Sequence, residues 1–295
     1  MNTNSFTLIG GDLRQARLAA MLYNDGCQIF AFGFEKEPLA PGITICPDLD
    51  TAIRSAKNII LPLPMLLSDN SFNAPYANTV IDIERILRLT VPGQHILAGR
   101  VPNYVYKESL AKGIDITDYF QREELAVLNS ISTAEGAIQI AMAETPITIN
   151  GAKCLVIGYG RIGKLLAHYL KSLGADLSVS ARSFSDLAWI QAFGYKSLNT
   201  TALDGNLSGF DIVLNTVPSR VLYTGLLAQL KKDCLCIDLA SRPGGIDFQS
   251  ASDMGIRTIW ALSIPGKAAP VTSASYIKST LYNILTEREG RESIE

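Results

Sequence analysis

The sequence predicts two open α/β domains joined by a long helix. Three observations predict it. Short apolar runs alternate with amphipathic helical patterns through both halves of the chain, as parallel βαβ units require. Residues 121–144 form a helical pattern of about six turns with small residues at its centre, Ser132, Ala134, Gly136 and Ala137. Finally, the apolar run at Cys154-Leu-Val-Ile157 leads into Gly158-x-Gly160-x-x-Gly163 and then into a helical pattern over 164–173 and a strand over 177–181. A strand, a glycine turn and a helix in that order open a dinucleotide-binding unit, so the second domain is expected to be a Rossmann-type doubly wound parallel sheet.

In the first half, strands are expected over 6–9 and 28–33 around an amphipathic helix over 12–24. A helix over 50–56 leads into an apolar strand over 58–63. A loop containing Asn70-Ser-Phe-Asn73 follows, then a strand over 95–99, a helix over 103–112 and a short strand over 115–117. Past 181, strands are expected over 211–215, 234–239 and 257–261, each running into a small or polar loop at the face where a ligand lies in such sheets. The domains implied are 1–128, a connecting helix at 129–148, and the glycine-loop domain at 149–272. The final helical run, 273–285, packs back on the first domain, and the charged tail 286–295 frays.

Bulk properties exclude several classes. In 295 residues there is room for two cores, and 47% hydrophobic with 18% charged residues describes a globular chain. A formal net charge of −2 gives no electrostatic case for nucleic acid or an anionic membrane. The start Met1-Asn-Thr-Asn-Ser5 lacks the pattern of a signal peptide, and the most apolar stretch, 58–67, is too short to span a bilayer and carries Pro62 and Pro64. The five cysteines show no zinc spacing, and Cys154, Cys234 and Cys236 fall in expected strands. A reduced cytoplasmic enzyme without a metal is the class expected.

The glycine loop assigns a cofactor site. Gly158 permits the turn, Gly160 admits the pyrophosphate and Gly163 lets helix approach strand. Tyr159, Arg161 and Ile162 complete the loop. An NAD site places Asp or Glu at the end of the second strand; this chain has Ala181-Arg182-Ser183. A guanidinium and a hydroxyl suit a 2′-phosphate, so NADP is the expected cofactor; an exposed turn arginine is the plainer alternative. The strand ends Thr216-Val217-Pro218 and Asp238-Leu239-Ala240-Ser241 complete the cofactor candidates.

Four further motifs carry a resemblance: Gly10-Gly-Asp-Leu-Arg-Gln-Ala-Arg17, Thr117-Asp-Tyr-Phe-Gln-Arg-Glu-Glu124, Ser132-Thr-Ala-Glu-Gly-Ala-Ile138 and Pro265-Gly-Lys-Ala-Ala-Pro-Val-Thr272. The second domain resembles that of D-2-hydroxyacid dehydrogenases and adenosylhomocysteinase. Over nearly its whole length, the chain more closely resembles the A subunits of dipicolinate synthases. The resemblance implies a role in the mother cell of a sporulating bacterium, on a branch of the lysine pathway. There the enzyme, which also has a flavoprotein-like B subunit, oxidises 2,3-dihydrodipicolinate to dipicolinate with NADP. A homo-oligomer is a further possibility.

A dicarboxylate substrate needs cations. Arg14 is expected to clamp one carboxylate, or else to be a surface arginine. Lys267, beside Gly266, binds a carboxylate or transfers a proton, and Arg242 pairs with substrate or cofactor phosphate. Aromatising a dihydropyridine removes a hydride and a ring proton, so one base helps. Glu135, expected among small residues on the long helix, is that base or caps the helix at Thr133. Glu123 and Glu124 are further carboxylates, and Thr133 and Ser241 are hydroxyl donors. Closure of two domains is expected to put Arg14 and Glu135 on one wall and Lys267 on the other. His95 and His168 are the only histidines, and His168 is expected to pack rather than react. None follows His168, which argues against a D-2-hydroxyacid dehydrogenase. A non-catalytic NADP-binding regulator is the alternative from a different class.

Overall fold

Every apolar run read as a strand enters one of two six-stranded, wholly parallel sheets. The structure is a computed structural model and describes residues 5–292. The chain divides into two units, Met1–Leu128 with Ala269–Glu295, and Asn129–Ala268.

The first unit runs β1 (Ser5–Ile9), α1 (Leu13–Asn24), β2 (Gln28–Phe32), β3 (Thr44–Ile45), α2 (Leu49–Arg54), β4 (Asn58–Ile60), α3 (Ile83–Leu89), β5 (His95–Ala98), α4 (Asn103–Ala111) and β6 (Asp115–Asp118). Its sheet order is β3-β2-β1-β4-β5-β6, the doubly wound 3-2-1-4-5-6 arrangement. Phe6, Leu8 and Ile9 of β1 are fully buried because a central parallel strand is covered on both faces. The final helix, α11 (Pro270–Glu292), lays Ala274, Ile277 and Leu281 in one core with Leu18, Ala19 and Leu22 of α1.

Two expectations for this unit need correction. The stretch after 63 is not all loop: Asp82 caps α3 by accepting the Glu84 N–H at 3.1 Å, and Ile83, Ile86 and Leu87 bury one face. Nor does α11 fray at 286. Arg122 holds Glu287 at 2.6 Å and Arg288 pairs with Asp115, so the polar last turns stay anchored. Residues 293–295 of the expected tail lie outside the described residues.

Helix α5 (Glu123–Glu144) begins in the first unit and from Asn129 belongs to the second. Residues 129–144 are therefore not a separate connector. Ala134, Ala137 and Ala141 are fully buried in one core with Val156, Leu166 and Leu170, because small side chains let the helix lie close to the sheet layer. The unit continues through β7 (Lys153–Ile157), α6 (Arg161–Ser172), β8 (Asp176–Ala181), α7 (Phe184–Ala192), β9 (Lys196–Asn199), β10 (Ile212–Asn215), α8 (Thr224–Leu227), β11 (Leu235–Asp238), α9 (Phe248–Asp253), β12 (Arg257–Trp260) and α10 (Ile264–Ala268). The order β12-β11-β10-β7-β8-β9 is again 3-2-1-4-5-6 read from the β9 edge, with the switch point between β7 and β10. Cys154 in β7 is fully buried, and desolvation pushes its thiol up to about 12. The Pro265-Gly266-Lys267 segment, expected as a loop, lies in α10. Proline is tolerated in a first helical turn, where no N–H partner is available. Among the described residues, no helix is long and apolar enough to cross a membrane.

Candidate dinucleotide site

The glycine loop sits at the switch point of the second sheet, and its three glycines have three distinct physical reasons. Gly158 adopts φ +99, and a Cβ there would lie 2.4 Å from Thr216 Oγ1. Gly163 is more constrained: its Cβ would stand 2.1 Å from the Gly158 carbonyl oxygen, so α6 approaches β7 only without a side chain. Gly160 is the opposite case. A Cβ on it meets nothing within 4 Å, so no steric demand of the protein explains a glycine at this exposed turn. That open space lies at the start of α6, whose N-cap is Gly160 and whose first turn receives no side-chain cap. The N–H groups of a first helical turn and the positive dipole end are the features that fit a pyrophosphate.

The surrounding turns are held by a buried network that sequence reasoning missed. Asn215, the fully buried last residue of β10, donates to Asp238 Oδ1 at 2.8 Å and to the Val217 carbonyl at 3.0 Å. Asp238, also fully buried, accepts from the Ala240, Gly245 and Ile246 N–H groups at 3.0, 2.7 and 3.2 Å. Both its oxygens are thus committed, so Asp238 shapes the loop after β11 instead of presenting a carboxylate to cofactor. A polar residue closing an otherwise apolar strand was the available signal for Asn215. Thr216 is likewise committed, donating to the Ile157 carbonyl at 2.9 Å.

The remaining cofactor candidates sort by exposure. Tyr159, Ala181, Leu239 and Ala240 have buried side chains, and Ile162 and Val217 pack on the cores; what these residues can offer is backbone. Arg161, Arg182, Ser183, Pro218 and Ser241 are exposed. Arg182 makes no ion pair with any described residue. Ser183 is the N-cap of α7: it accepts the Asp186 N–H at 3.0 Å and donates to Asp186 Oδ2 at 2.7 Å.

The structure relocates several substrate-site candidates. Arg14 is buried, with Nε and one terminal nitrogen on Asp12 and a further bond to the Leu63 carbonyl. It locks the Gly10-Gly11 turn to the strand end after β4 and is neither a surface arginine nor an open clamp. The crevice there is filled as well, since a Cβ on Gly10 would meet Ala74 and Phe72 within 2.9 Å. Glu135 is exposed, so its place among small residues does not by itself imply a task. Thr133 is mid-helix and donates to the Asn129 carbonyl at 2.8 Å, so it caps nothing. Glu135 and Lys267 belong to one unit, not to opposite walls. Glu123 is exposed at the first turn of α5, while Glu124 holds Arg122 at 2.8 Å. His168 is exposed on α6; His95 is buried against Thr117.

Two of the motifs meet. Gly136 of α5 lies against α10, where its Cβ would fall 2.3 Å from Ile264 Cγ2. Beside this contact Lys267, Gly136, Gln139 and Trp260 line a cavity of about 360 Å³. Gly266 sits in the same short helix as Lys267, and the Arg242 guanidinium lies over the Trp260 ring at 5.5 Å. Lys267 and Arg242 are both exposed.

The sequence pattern of the N-terminal domain of the dipicolinate synthase A subunit matches residues 5–120. The dipicolinate synthase A subunit of Bacillus subtilis (strain 168) is 31% identical over 288 residues, 97% of each chain. The crystal structure of the dipicolinate synthase A chain from Bacillus subtilis superposes with a TM-score of 0.88, covering 99% of this chain and 98% of that one at 30% identity. That of the dipicolinate synthase A subunit from Bacillus halodurans gives 0.87, covering 96% and 98% at 28% identity.

Proposed function

The chain belongs to the family of dipicolinate synthase A subunits, and we propose that it oxidises 2,3-dihydrodipicolinate to dipicolinate with NADP, together with a second, B subunit. The observation that carries the cofactor half is Gly160, a glycine whose missing side chain leaves space at an uncapped helix start. Arg182, exposed where an NAD site would carry an acid, supports the phosphorylated nucleotide. When bound, NADP would supply the hydride acceptor for oxidation of the dihydropyridine ring, whose aromatisation also releases a ring proton.

The chain's residues bind and orient. Backbone N–H groups of the 160–163 turn hold the pyrophosphate, and Arg182 pairs with the 2′-phosphate. In the second unit Lys267 pairs with a substrate carboxylate, with Arg242 as a second cation, and Glu135 takes the ring proton. Glu123 is the other exposed carboxylate retained as a base. Alcohol–ketone chemistry is disfavoured because His95 is buried on Thr117 and no histidine follows His168.

The test is turnover: supply dihydrodipicolinate and NADP, with and without the partner protein, and follow reduced nicotinamide by its absorbance. Lys267→Ala should lower turnover and leave NADP binding nearly unchanged. Glu135→Gln should cost on the order of 10²-fold and remove the acid limb of the pH–rate profile. Unaltered rates in both variants would remove those residues from the site. NADP binding without turnover in the complete complex would favour a regulatory role.

A further inference from the structure

The end of β8 carries two opposed charges. Arg182 is exposed and pairs with no described residue, whereas Asp186, three residues past Ser183, is held in the first turn of α7. Its Oδ2 accepts the Ser183 hydroxyl at 2.7 Å, and its own N–H points back to Ser183 Oγ at 3.0 Å. A serine hydroxyl has one proton to donate. Here that proton is on a carboxylate, so Ser183 has none to give an incoming phosphate. Freeing it would leave an ionised carboxylate beside a dianion.

We infer that Asp186 is a specificity-determining residue that weakens selection of the 2′-phosphorylated dinucleotide, by holding the Ser183 hydroxyl and by placing a negative charge next to the phosphate that Arg182 attracts. The inference rests on the proposed dinucleotide site. The logic differs for the two nucleotides. A ribose 2′-hydroxyl is itself a donor, and both the Asp186 carboxylate and Ser183 Oγ retain lone pairs to accept it. A 2′-phosphate offers only acceptors at neutral pH and gains from Arg182 alone. The site therefore tolerates both forms, with Arg182 favouring one and Asp186 opposing it. The Ser183–Asp186 pair also closes α7 as a cap, which is the structural reason the carboxylate stays oriented there.

Calorimetric titration of NADP and NAD against the full chain tests this, using wild type, Asp186→Asn, Asp186→Ser and Arg182→Ala. Removing the charge at 186 should tighten NADP about two- to fivefold, the range of a partly exposed charge pair, and leave NAD unchanged or weaker. Asp186→Asn keeps the shape of the cap, and a thermal melt of each variant checks that α7 persists. Arg182→Ala should weaken NADP alone. Unchanged NADP affinity in both Asp186 variants, with Arg182→Ala still weakened, overturns this inference and spares the dinucleotide reading. Failure of wild type to bind either nucleotide overturns both.

Discussion

Gly160 and Gly163 lie three residues apart, and the same substitution should fail in different ways. At Gly160 a side chain enters open space, so Gly160→Val should fold with a melting temperature close to wild type while losing dinucleotide binding. At Gly163 the added carbon would collide with the Gly158 carbonyl oxygen, which is backbone and cannot rotate away. Gly163→Val should therefore separate α6 from β7 and destabilise the unit, on the order of the 1–3 kcal/mol typical of overpacking or more. Thermal melts paired with NADP titrations check both, and wild-type binding by Gly160→Val would put the pyrophosphate elsewhere. The steric demands at Gly158 and Gly163 were legible because the motif's spacing and its strand–turn–helix context encode them. Asn215 and Arg14 were not. Asn215 bonds Asp238, 23 residues away in sequence, and Arg14 is held by Asp12 together with the carbonyl of Leu63. A one-dimensional pattern shows a polar residue but not whether its hydrogen bonds are already taken.

At the scale of elements, periodicity found the long or strongly apolar segments and, among the short ones, α2 and β6, while α3, α7 and α10 escaped. α3 and α7 are seven and nine residues long and were announced only by their caps, Asp82 and Ser183. α10 was hidden by its proline and glycine. The pairing of α1 with α11 makes a sharper test of how elements hold together. Leu281 is fully buried between them, so Leu281→Ala should cost about 2–5 kcal/mol. At the rim, Lys278 and the Tyr282 hydroxyl both bind Asp25, and the Lys278 hydrogen bond in particular holds its carboxyl below the ordinary value of 3.8. A depressed carboxylate contributes stability that is present above that ordinary value and lost as pH falls through the folded one. The Asp25 side chain is 34% exposed, so this contribution is small, up to about 1 kcal/mol. Asp25→Asn should thus melt slightly below wild type at pH 7, with the difference closing below about pH 3.8. A gap that stays constant into acid would show that the mutation acts through packing.

The whole molecule repeats one topology with different consequences. Both sheets run 3-2-1-4-5-6, yet in the first unit Phe72 and Ala74 fill the space over the glycine turn, and Arg14 ties that turn to Leu63. In the second unit the corresponding turn is open at Gly160. Sheet order alone therefore does not make a nucleotide site; the loops at the switch point decide. This asymmetry predicts how ligand and heat interact. Each unit has its own buried cores, so unfolding need not be a single transition. A ligand stabilises only what it binds, by about 2.7 kcal/mol at a hundred times its dissociation constant. NADP should therefore raise the transition of residues 129–268 and protect the amides of the 158–163 turn from exchange. Leu281→Ala should lower the transition of the other unit and leave the NADP-dependent shift intact. Scanning calorimetry of wild type and variant, each with and without NADP, reads both effects. If NADP moves every transition equally and Leu281→Ala lowers them all, the units unfold as one, and residues far from the glycine turn then contribute to the apparent affinity through the shared folding equilibrium.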